Sequence, residues 1–250
     1  MKNRAYKNYI FDFYGTLVDI LTDEKDPVLW DTLGQLYQAY GAAYEGDALK
    51  KAYAKRVAQT RKELIEIKGV AYPEVDLAHI FNQLYVDGRP QSSCHNQPED
   101  WGQLIAMVFR VLSRKQLLAY PHTKEVLTFL KEQGCRLYLL SNAQAAFTNA
   151  EIDLMELRPY FDAIYLSSDV GICKPQPEFL KQVLDDYGLK PSETVMVGND
   201  LTTDIAVAET VGIDGILLNT FPYSRRELEK SPIKPDRVIT DIEALKTNFT

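Results

Sequence analysis

The chain has 250 residues, of which 46% are hydrophobic and 25% are charged, the usual profile of a globular protein. Its formal net charge of -7 argues against nucleic acid or an anionic membrane surface as a partner. No apolar run is long enough to cross a bilayer and no signal-peptide pattern is visible. The three cysteines form no CxxC pair, which fits a reducing compartment, so we expect a cytoplasmic protein.

Short apolar runs along the chain predict the strands of a parallel sheet. They lack clean alternation of polar and apolar residues, as expected when helices cover both faces of a sheet. In chain order the runs are YIFDF (9–13), RLYLLS (136–141), AIYLS (163–167), TVMVG (194–198) and GILLN (215–219).

The segment between the first two runs is different, because it shows helical periodicity and no convincing strand. Its helical stretches are LWDTLGQLYQAYGAAY, ALKKAYAKRVAQTRKELIEI, DLAHIFNQLYV and WGQLIAMVFRVLSRKQLL. About a hundred residues are too many for a simple connection. We therefore predict an all-helical cap domain over residues 20–116, inserted into a core made of residues 1–19 and 117–250. The stretch 88–98 is the predicted exposed loop of the cap.

Helical patterns also separate the later strands. TKEVLTFLKEQG closes on Gly134, and PEFLKQVLDDYGL begins at Pro177, which are residues typical of helix ends and starts. Strands alternating with helices predict an α/β fold with a doubly wound parallel sheet, Rossmann-like in its layers. Such sheets bind ligands at the carboxyl ends of their strands.

Polar residues stand at several of these strand ends. They are Asp12, Ser141, Asn142, Asp200 and Asp204, with Lys174 in a loop before a helix. Each has an ordinary structural explanation, such as a turn, a helix cap or a solvated loop. Because all are expected at one edge of one sheet, together they predict a catalytic site.

In order and spacing these motifs resemble those of the haloacid dehalogenase superfamily of hydrolases. DFYGT is similar to the family's first motif, a nucleophilic Asp followed by x-x-Gly-Thr, and Ser141 matches the hydroxyl residue that ends the second. KPQP, with Lys174, resembles the third motif, and VGNDLTTD the acidic fourth. The helical insertion resembles the cap of the branch that carries it after the first motif (subfamily I, C1 cap).

The resemblance implies a role for each matching residue. Asp12 would be the nucleophile that forms a covalent intermediate, which divides one difficult step into two. Thr16 and Ser141 would hydrogen-bond the transferring group, and Lys174 would neutralise charge on the nucleophile and the substrate. The residues expected to contact a small anionic substrate are Asn142, Tyr14 and Gly15.

The resemblance also implies Mg²⁺ as the cofactor. Its ligands would be the carboxylates of Asp12 and Asp200 and the backbone carbonyl of Tyr14, with Asp204 as the accompanying acid. Either Asn199 or Asp200 could be the direct ligand in the GND sequence, and charge favours Asp200.

Tyr14 leaves the reaction type open. The family's phosphatases usually carry a second Asp at this position, whereas Asp-x-Tyr-Gly-Thr resembles the 2-haloacid dehalogenases, whose halide leaving group needs no proton. Those dehalogenases use no metal and carry a Ser-x-Asn pattern in the fourth motif. Here Asp200 and Asp204 take that place, and extra carboxylates beside Asp12 require a cation between them. We therefore predict a Mg²⁺-dependent phosphatase of a small phosphorylated metabolite, with a 2-haloacid dehalogenase as the alternative.

Other features of the sequence give weaker evidence about function. A dehalogenase would need an arginine in the cap to bind the substrate carboxylate, for which Arg56 and Arg61 are candidates, although a solvated helix face explains them as well. The three histidines show no metal-ligand spacing. A catalytically inactive binding protein is a third interpretation, which rests on Tyr14 alone.

Overall fold

A computed structural model describes residues 5–90 and 98–249 of the chain. The predicted cap loop therefore lies mostly outside the described residues. In chain order the strands are β1 (Asn8–Phe11), β2 (Val18–Thr22), β3 (Arg114–Ala119), β4 (Arg136–Ser141), β5 (Ala163–Leu166), β6 (Thr194–Gly198), β7 (Asp214–Leu218) and β8 (Arg237–Ile239). The α-helices are α1 (Pro27–Ala39), α2 (Gly46–Lys68), α3 (Leu77–Gly88), α4 (Trp101–Ser113), α5 (Thr123–Glu132), α6 (Ala145–Leu154), α7 (Ser167–Val170), α8 (Pro177–Asp186), α9 (Ala206–Val211) and α10 (Arg225–Lys230).

Six strands form one parallel sheet in the order β5–β4–β1–β6–β7–β8. Successive residues of each strand face opposite sides, so the sheet buries two apolar layers. In β4, Leu137 and Leu139 belong to the layer covered by α5 and α6, whereas Tyr138 and Leu140 belong to the layer covered by α8 and α9. The predicted doubly wound α/β fold is confirmed.

The strand order explains where a ligand would bind. From the central β1 the chain moves outward through β4 and β5 on one side, and through β6, β7 and β8 on the other. The direction of winding therefore changes around β1, and a crevice opens beyond the carboxyl ends of β1, β4 and β6.

Helices α1 to α4 pack around an apolar cluster that also includes Phe147 of α6. Its large members include Trp30, Tyr37, Phe81, Trp101 and Phe109, which are at most 3% exposed. The ring centroids of Tyr37 and Trp101 are 5.2 Å apart and the planes are nearly perpendicular, a favourable aromatic geometry. A separate core supports the predicted division into two domains, which stays a prediction. Within the described ranges, no helix is both long and apolar enough to cross a lipid bilayer.

An antiparallel ribbon of β2 and β3 joins the helices to the sheet. The prediction of helix through residue 118 was wrong, because α4 ends at Ser113 and β3 follows at once. Val18 pairs with Ala119 and Thr22 with Arg114, so the ribbon spans both predicted domain boundaries. Strand preference depends on the neighbouring strand, and residues 114–119 acquire theirs from a segment almost a hundred residues earlier in the chain.

Candidate active site

Asp12 follows β1 directly and lies at the centre of the crevice. Its N–H donates to the carbonyl of Val197 on β6 (3.0 Å), and the residue is 7% exposed. Oδ1 accepts hydrogen bonds from Lys174 Nζ (2.7 Å) and Ser141 Oγ (3.0 Å). Oδ2 lies 3.3 Å from the hydroxyl of Thr16, which donates to it. The carboxylate is therefore held in one orientation by three donors.

Lys174 is 2% exposed, and three oxygen atoms lie 2.7 Å from its ammonium nitrogen. These are Asp12 Oδ1, Asp204 Oδ1 (2.7 Å) and the backbone carbonyl of Leu140 (2.7 Å). Burial alone would lower the pKa of Lys174, but the charges of Asp12 and Asp204 raise it above its usual value. The ammonium group stays charged and separates two buried carboxylates.

Asp204 is almost fully buried on the other side of this lysine. Burial raises the pKa of its carboxyl to about 6, although Lys174 opposes that shift. Its Oδ2 accepts a hydrogen bond from the backbone N–H of Asp200 (3.1 Å). A Cβ at Gly198 would lie 2.2 Å from Oδ2, so this close approach requires a glycine.

Asn142 holds the lysine loop. Its Nδ2 donates to the carbonyl of Lys174 (2.9 Å), and its Oδ1 accepts from the N–H of the same residue (2.7 Å). The sequence predicts substrate contact for Asn142 and gives no sign of this role. Since both polar groups bind the Lys174 backbone, the structure assigns Asn142 to positioning the lysine, and substrate contact stays a prediction.

Asn199 joins the fourth motif to the first, whereas the neighbouring Asp200 binds within its own motif. Asn199 Oδ1 accepts a hydrogen bond from Thr16 (3.1 Å), and the same side chain fills the place of a Cβ at Gly15, where φ is +78°. Asp200 Oδ1 accepts from the N–H groups of Thr202 (2.6 Å) and Thr203 (3.1 Å), which caps the helical turn that follows.

These groups line a cavity of about 210 Å³. Its lining contains every predicted site residue except Gly15 and Thr16, includes the alternative ligand Asn199, and adds Thr203. The structure thus brings the predicted residues together at the carboxyl edge of the sheet, while their chemical roles stay predictions.

The hydroxyl and ring of Tyr14 contact residues of α4 and α6. Its hydroxyl donates to Glu151 Oε2 (2.5 Å) and lies 2.9 Å from Thr148 Oγ1, and its ring centroid is 5.0 Å from Cζ of Arg110. Burial raises the pKa of the phenol above its usual value, so the hydroxyl stays protonated. Glu151 and Arg110 were not predicted from sequence, because no spacing within the chain relates them to Tyr14.

The helical segment also lies against the loops that carry Lys174 and Asn142. The N–H of Cys173 donates to the carbonyl of Tyr72 (3.0 Å), and that of Glu74 to Gly171 (3.1 Å). The side chain of Gln144 donates to the carbonyl of Val75 (2.8 Å). The turn between α2 and α3 is therefore hydrogen-bonded to the loops on either side of Lys174 and Asn142.

The other candidates named from sequence lie elsewhere. Arg56 pairs with Asp87 of α3, Arg61 is exposed on α2, and neither lines the cavity. His79 contacts Gln83 (2.8 Å), and His122 contacts Asp241 (3.1 Å). In the part of the chain that the structure describes, no cluster of three or more His, Cys, Asp or Glu side chains is arranged to hold a metal ion.

Comparison with known proteins gives a consistent set of similarities. A family model described as haloacid dehalogenase-like hydrolase matches residues 6–212. The glyceraldehyde 3-phosphate phosphatase of Methanothermobacter thermautotrophicus is 33% identical over 132 residues, which are 52% of this chain and 58% of that one. The pyrimidine 5'-nucleotidase of Streptococcus pneumoniae is 26% identical over 215 residues, 86% of this chain and 84% of that one.

A solved structure, the 2-haloacid dehalogenase of Pseudomonas syringae, covers 98% of this chain and is itself covered to 98%, with a TM-score of 0.66 and 20% identity. At that identity the similarity shows the fold alone. The chain spans about half the length of several curated relatives that match it at about 30% identity.

Removing the charge of Lys174 should destabilise the protein in a pH-dependent manner. We expect Lys174→Met to lower the free energy of unfolding by about 3–5 kcal/mol at pH 8, because two buried carboxylates lose their cation. The pKa of Asp204, about 6 in the folded protein, exceeds its unfolded value. Stability linked to this group is therefore present at low pH and is lost as pH rises through 6. The loss in Lys174→Met should accordingly be smaller at pH 5.

Urea denaturation at both pH values measures the two losses. Lys181→Met removes an exposed lysine from α8 and serves as the matched control, with little change at either pH. An equal loss at pH 5 and pH 8 in Lys174→Met would contradict the assignment of Lys174 as the counter-ion of Asp12 and Asp204.

Proposed function

The chain belongs to the haloacid dehalogenase-like hydrolases, and from that membership we propose that it is a Mg²⁺-dependent phosphatase of a small phosphorylated metabolite. One observation carries the proposal: Asp12, held by Lys174, shares a cavity with the carboxylates of Asp200 and Asp204. The phosphatases named among the relatives at 26–33% identity support the same reaction class.

Asp12 attacks the phosphorus atom of the substrate in this mechanism. An aspartyl phosphate forms, the bond to the leaving oxygen breaks, and water then releases inorganic phosphate and regenerates the carboxylate. Lys174 and Ser141 fix Oδ1, so the nucleophile does not lose its orientation during the reaction. The ammonium group of Lys174 also offsets the repulsion between the carboxylate and a dianionic phosphate.

The donor set of the cavity fits Mg²⁺, which takes one or two carboxylates and completes its shell with carbonyls and water. We assign the carboxylates of Asp12 and Asp200 and the carbonyl of Tyr14 as its ligands; when bound, the ion supplies positive charge to the phosphate oxygens. Asp204, grouped with the metal ligands from sequence, has both oxygens engaged by Lys174 and the Asp200 N–H. We therefore propose that Asp204 orients Lys174 instead.

A 2-haloacid dehalogenase is the second candidate, and Tyr14 in the first motif is the observation that favours it. The acidic fourth motif opposes this candidate, because carboxylates near Asp12 would repel an anionic haloacid unless a cation were present. Arg56 and Arg61 are the arginines that the sequence suggested for binding the haloacid carboxylate. Neither of them lines the cavity.

The nucleophile is tested with Asp12→Asn. We expect loss of activity on every substrate by about 10⁴-fold or more, because an amide does not attack phosphorus. The measurement is a screen of phosphate esters, acyl phosphates and 2-haloacids with the wild type and the variant. Asp185→Asn, an exposed amide substitution in α8, is the control. Activity within tenfold of the wild type, with mass spectrometry excluding deamidation back to Asp, would refute the assignment.

The metal is tested with a chelator and Asp200→Asn. We expect chelation to abolish phosphatase turnover, and the variant to bind Mg²⁺ more weakly in calorimetric titration, because one ligand charge is lost. An Asn retains the acceptor that caps the next helical turn, so folding is preserved. Glu209→Gln on α9 is the control for loss of an exposed charge. Undiminished activity in chelator on a 2-haloacid would instead establish the dehalogenase.

The position of the Tyr14 hydroxyl predicts a leaving-group preference. Since that hydroxyl is bound to Glu151, it is not placed to protonate a departing alkoxide, and such help is worth about 10²- to 10⁴-fold. Aryl and acyl phosphates should therefore be hydrolysed well and simple sugar phosphates poorly.

The measurement is the slope of rate against leaving-group pKa. We expect a steep slope in the wild type and a flatter one in Tyr14→Asp, which restores an acid. Tyr14→Asn loses the same ring and hydroxyl without gaining an acid, and should keep the steep slope. Rapid hydrolysis of sugar phosphates by the wild type would show that another residue donates the proton.

A further inference from the structure

We propose that Glu151 is a positioning residue that, together with Arg110, holds the first-motif loop in place through the hydroxyl of Tyr14. We call the set Tyr14, Arg110, Arg114, Thr148 and Glu151 the Glu151 junction. The kinetic part of its test rests on the proposed phosphatase function, whereas the structural part does not.

Every oxygen of the Glu151 carboxylate is occupied. Oε1 accepts from Arg110 Nε (2.7 Å) and from a guanidinium nitrogen of Arg114 (2.9 Å). Oε2 accepts from a second Arg110 nitrogen (2.9 Å) and from the hydroxyl of Tyr14 (2.5 Å). Arg110 thus binds the carboxylate with two parallel hydrogen bonds, the strongest and most directional form of this pair.

The junction is buried, so its geometry is tightly constrained. Glu151 is 2% exposed and Arg110 is 8% exposed. Burial alone would raise the pKa of Glu151, but hydrogen bonds from Arg110 and Tyr14 hold it below its usual value. The aromatic rings of Tyr14 and Phe147 flank the guanidinium group, with centroids 5.0 and 4.7 Å from its Cζ. Separation of Arg110 from Glu151 would leave buried charges without their main partner.

Three separate parts of the chain meet here. Glu151 lies on α6 of the sheet layer, Arg110 in the last turn of α4, and Tyr14 two residues after the nucleophile. The Tyr14 ring also packs edge-on against Phe13, with centroids 4.7 Å apart. A side chain fixed at both its ring and its hydroxyl restrains the peptide that bears it, and this peptide joins Asp12 to Gly15. The junction therefore couples the helical segment to the orientation of the nucleophile.

The smallest perturbation is Tyr14→Phe, which removes the hydroxyl and leaves the Arg110–Glu151 pair intact. We expect kcat for an aryl phosphate to fall about tenfold, with KM within about twofold, because the loop and not the substrate contact is changed. Glu151→Gln should lower kcat by at least as much. If Glu151 acts through Tyr14, the double variant should be no slower than Glu151→Gln alone.

Hydrogen–deuterium exchange supplies a readout that needs no turnover. The amides of residues 13–19 should exchange faster in Tyr14→Phe and in Glu151→Gln than in the wild type. Asp153 lies on α6 with Glu151, and its exposed carboxylate pairs with Arg158. The control variant Asp153→Asn should change neither exchange nor kcat.

Unchanged exchange of residues 13–19 in both variants would overturn the proposal, whatever the activity. Multiplicative loss of kcat in the double variant would also overturn it, because Glu151 would then act independently of Tyr14. A wild type that hydrolyses no phosphate ester would refute the proposed function only, and faster exchange in the two variants would still support the junction.

Discussion

The buried ammonium group of Lys174 is the constraint on which the site depends. Two carboxylates, Asp12 and Asp204, lie within 2.7 Å of it in a region from which water is largely excluded. Without a cation between them their repulsion would drive proton uptake or local unfolding. The third oxygen is the carbonyl of Leu140, the penultimate residue of β4, so the ammonium group is also hydrogen-bonded to that strand. The charge balance of the site is therefore built into the central strands of the sheet.

Much of this arrangement was predictable from sequence because it follows from local rules. Apolar runs give buried parallel strands, and the polar residue after each run must lie at the same edge of the sheet. Asp12, Ser141 and Asp200 were found in this way. The residues Arg114–Ala119 and the short strand Arg237–Ile239 were not predicted as strands, because their conformation depends on partners distant in sequence. The role of Asn142 was missed for the same reason.

Tyr14 illustrates where a motif and a structure carry different information. In the sequence it stands at the position for which the resemblance implies an acid in phosphatases, and this left the reaction type open. In the structure Tyr14 is among the residues that line the cavity, and its ring and hydroxyl also contact residues of α4 and α6. The motif gave a role to the backbone carbonyl of Tyr14, but it could not give the partners of the side chain, because Arg110 and Glu151 lie far from Tyr14 in sequence.

The β2–β3 ribbon has a consequence for how such a protein diversifies. Its two strands enter and leave the helical segment side by side, with Val18 opposite Ala119. The ends of the segment are thus already closed at one point, and its internal length adds little to the entropy of closing them. A different set of helices could be grafted onto the same ribbon without disturbing the register of the sheet. Any such replacement would still have to supply the contact that Arg110 makes with Glu151, because that carboxylate also holds the hydroxyl of Tyr14 beside Asp12.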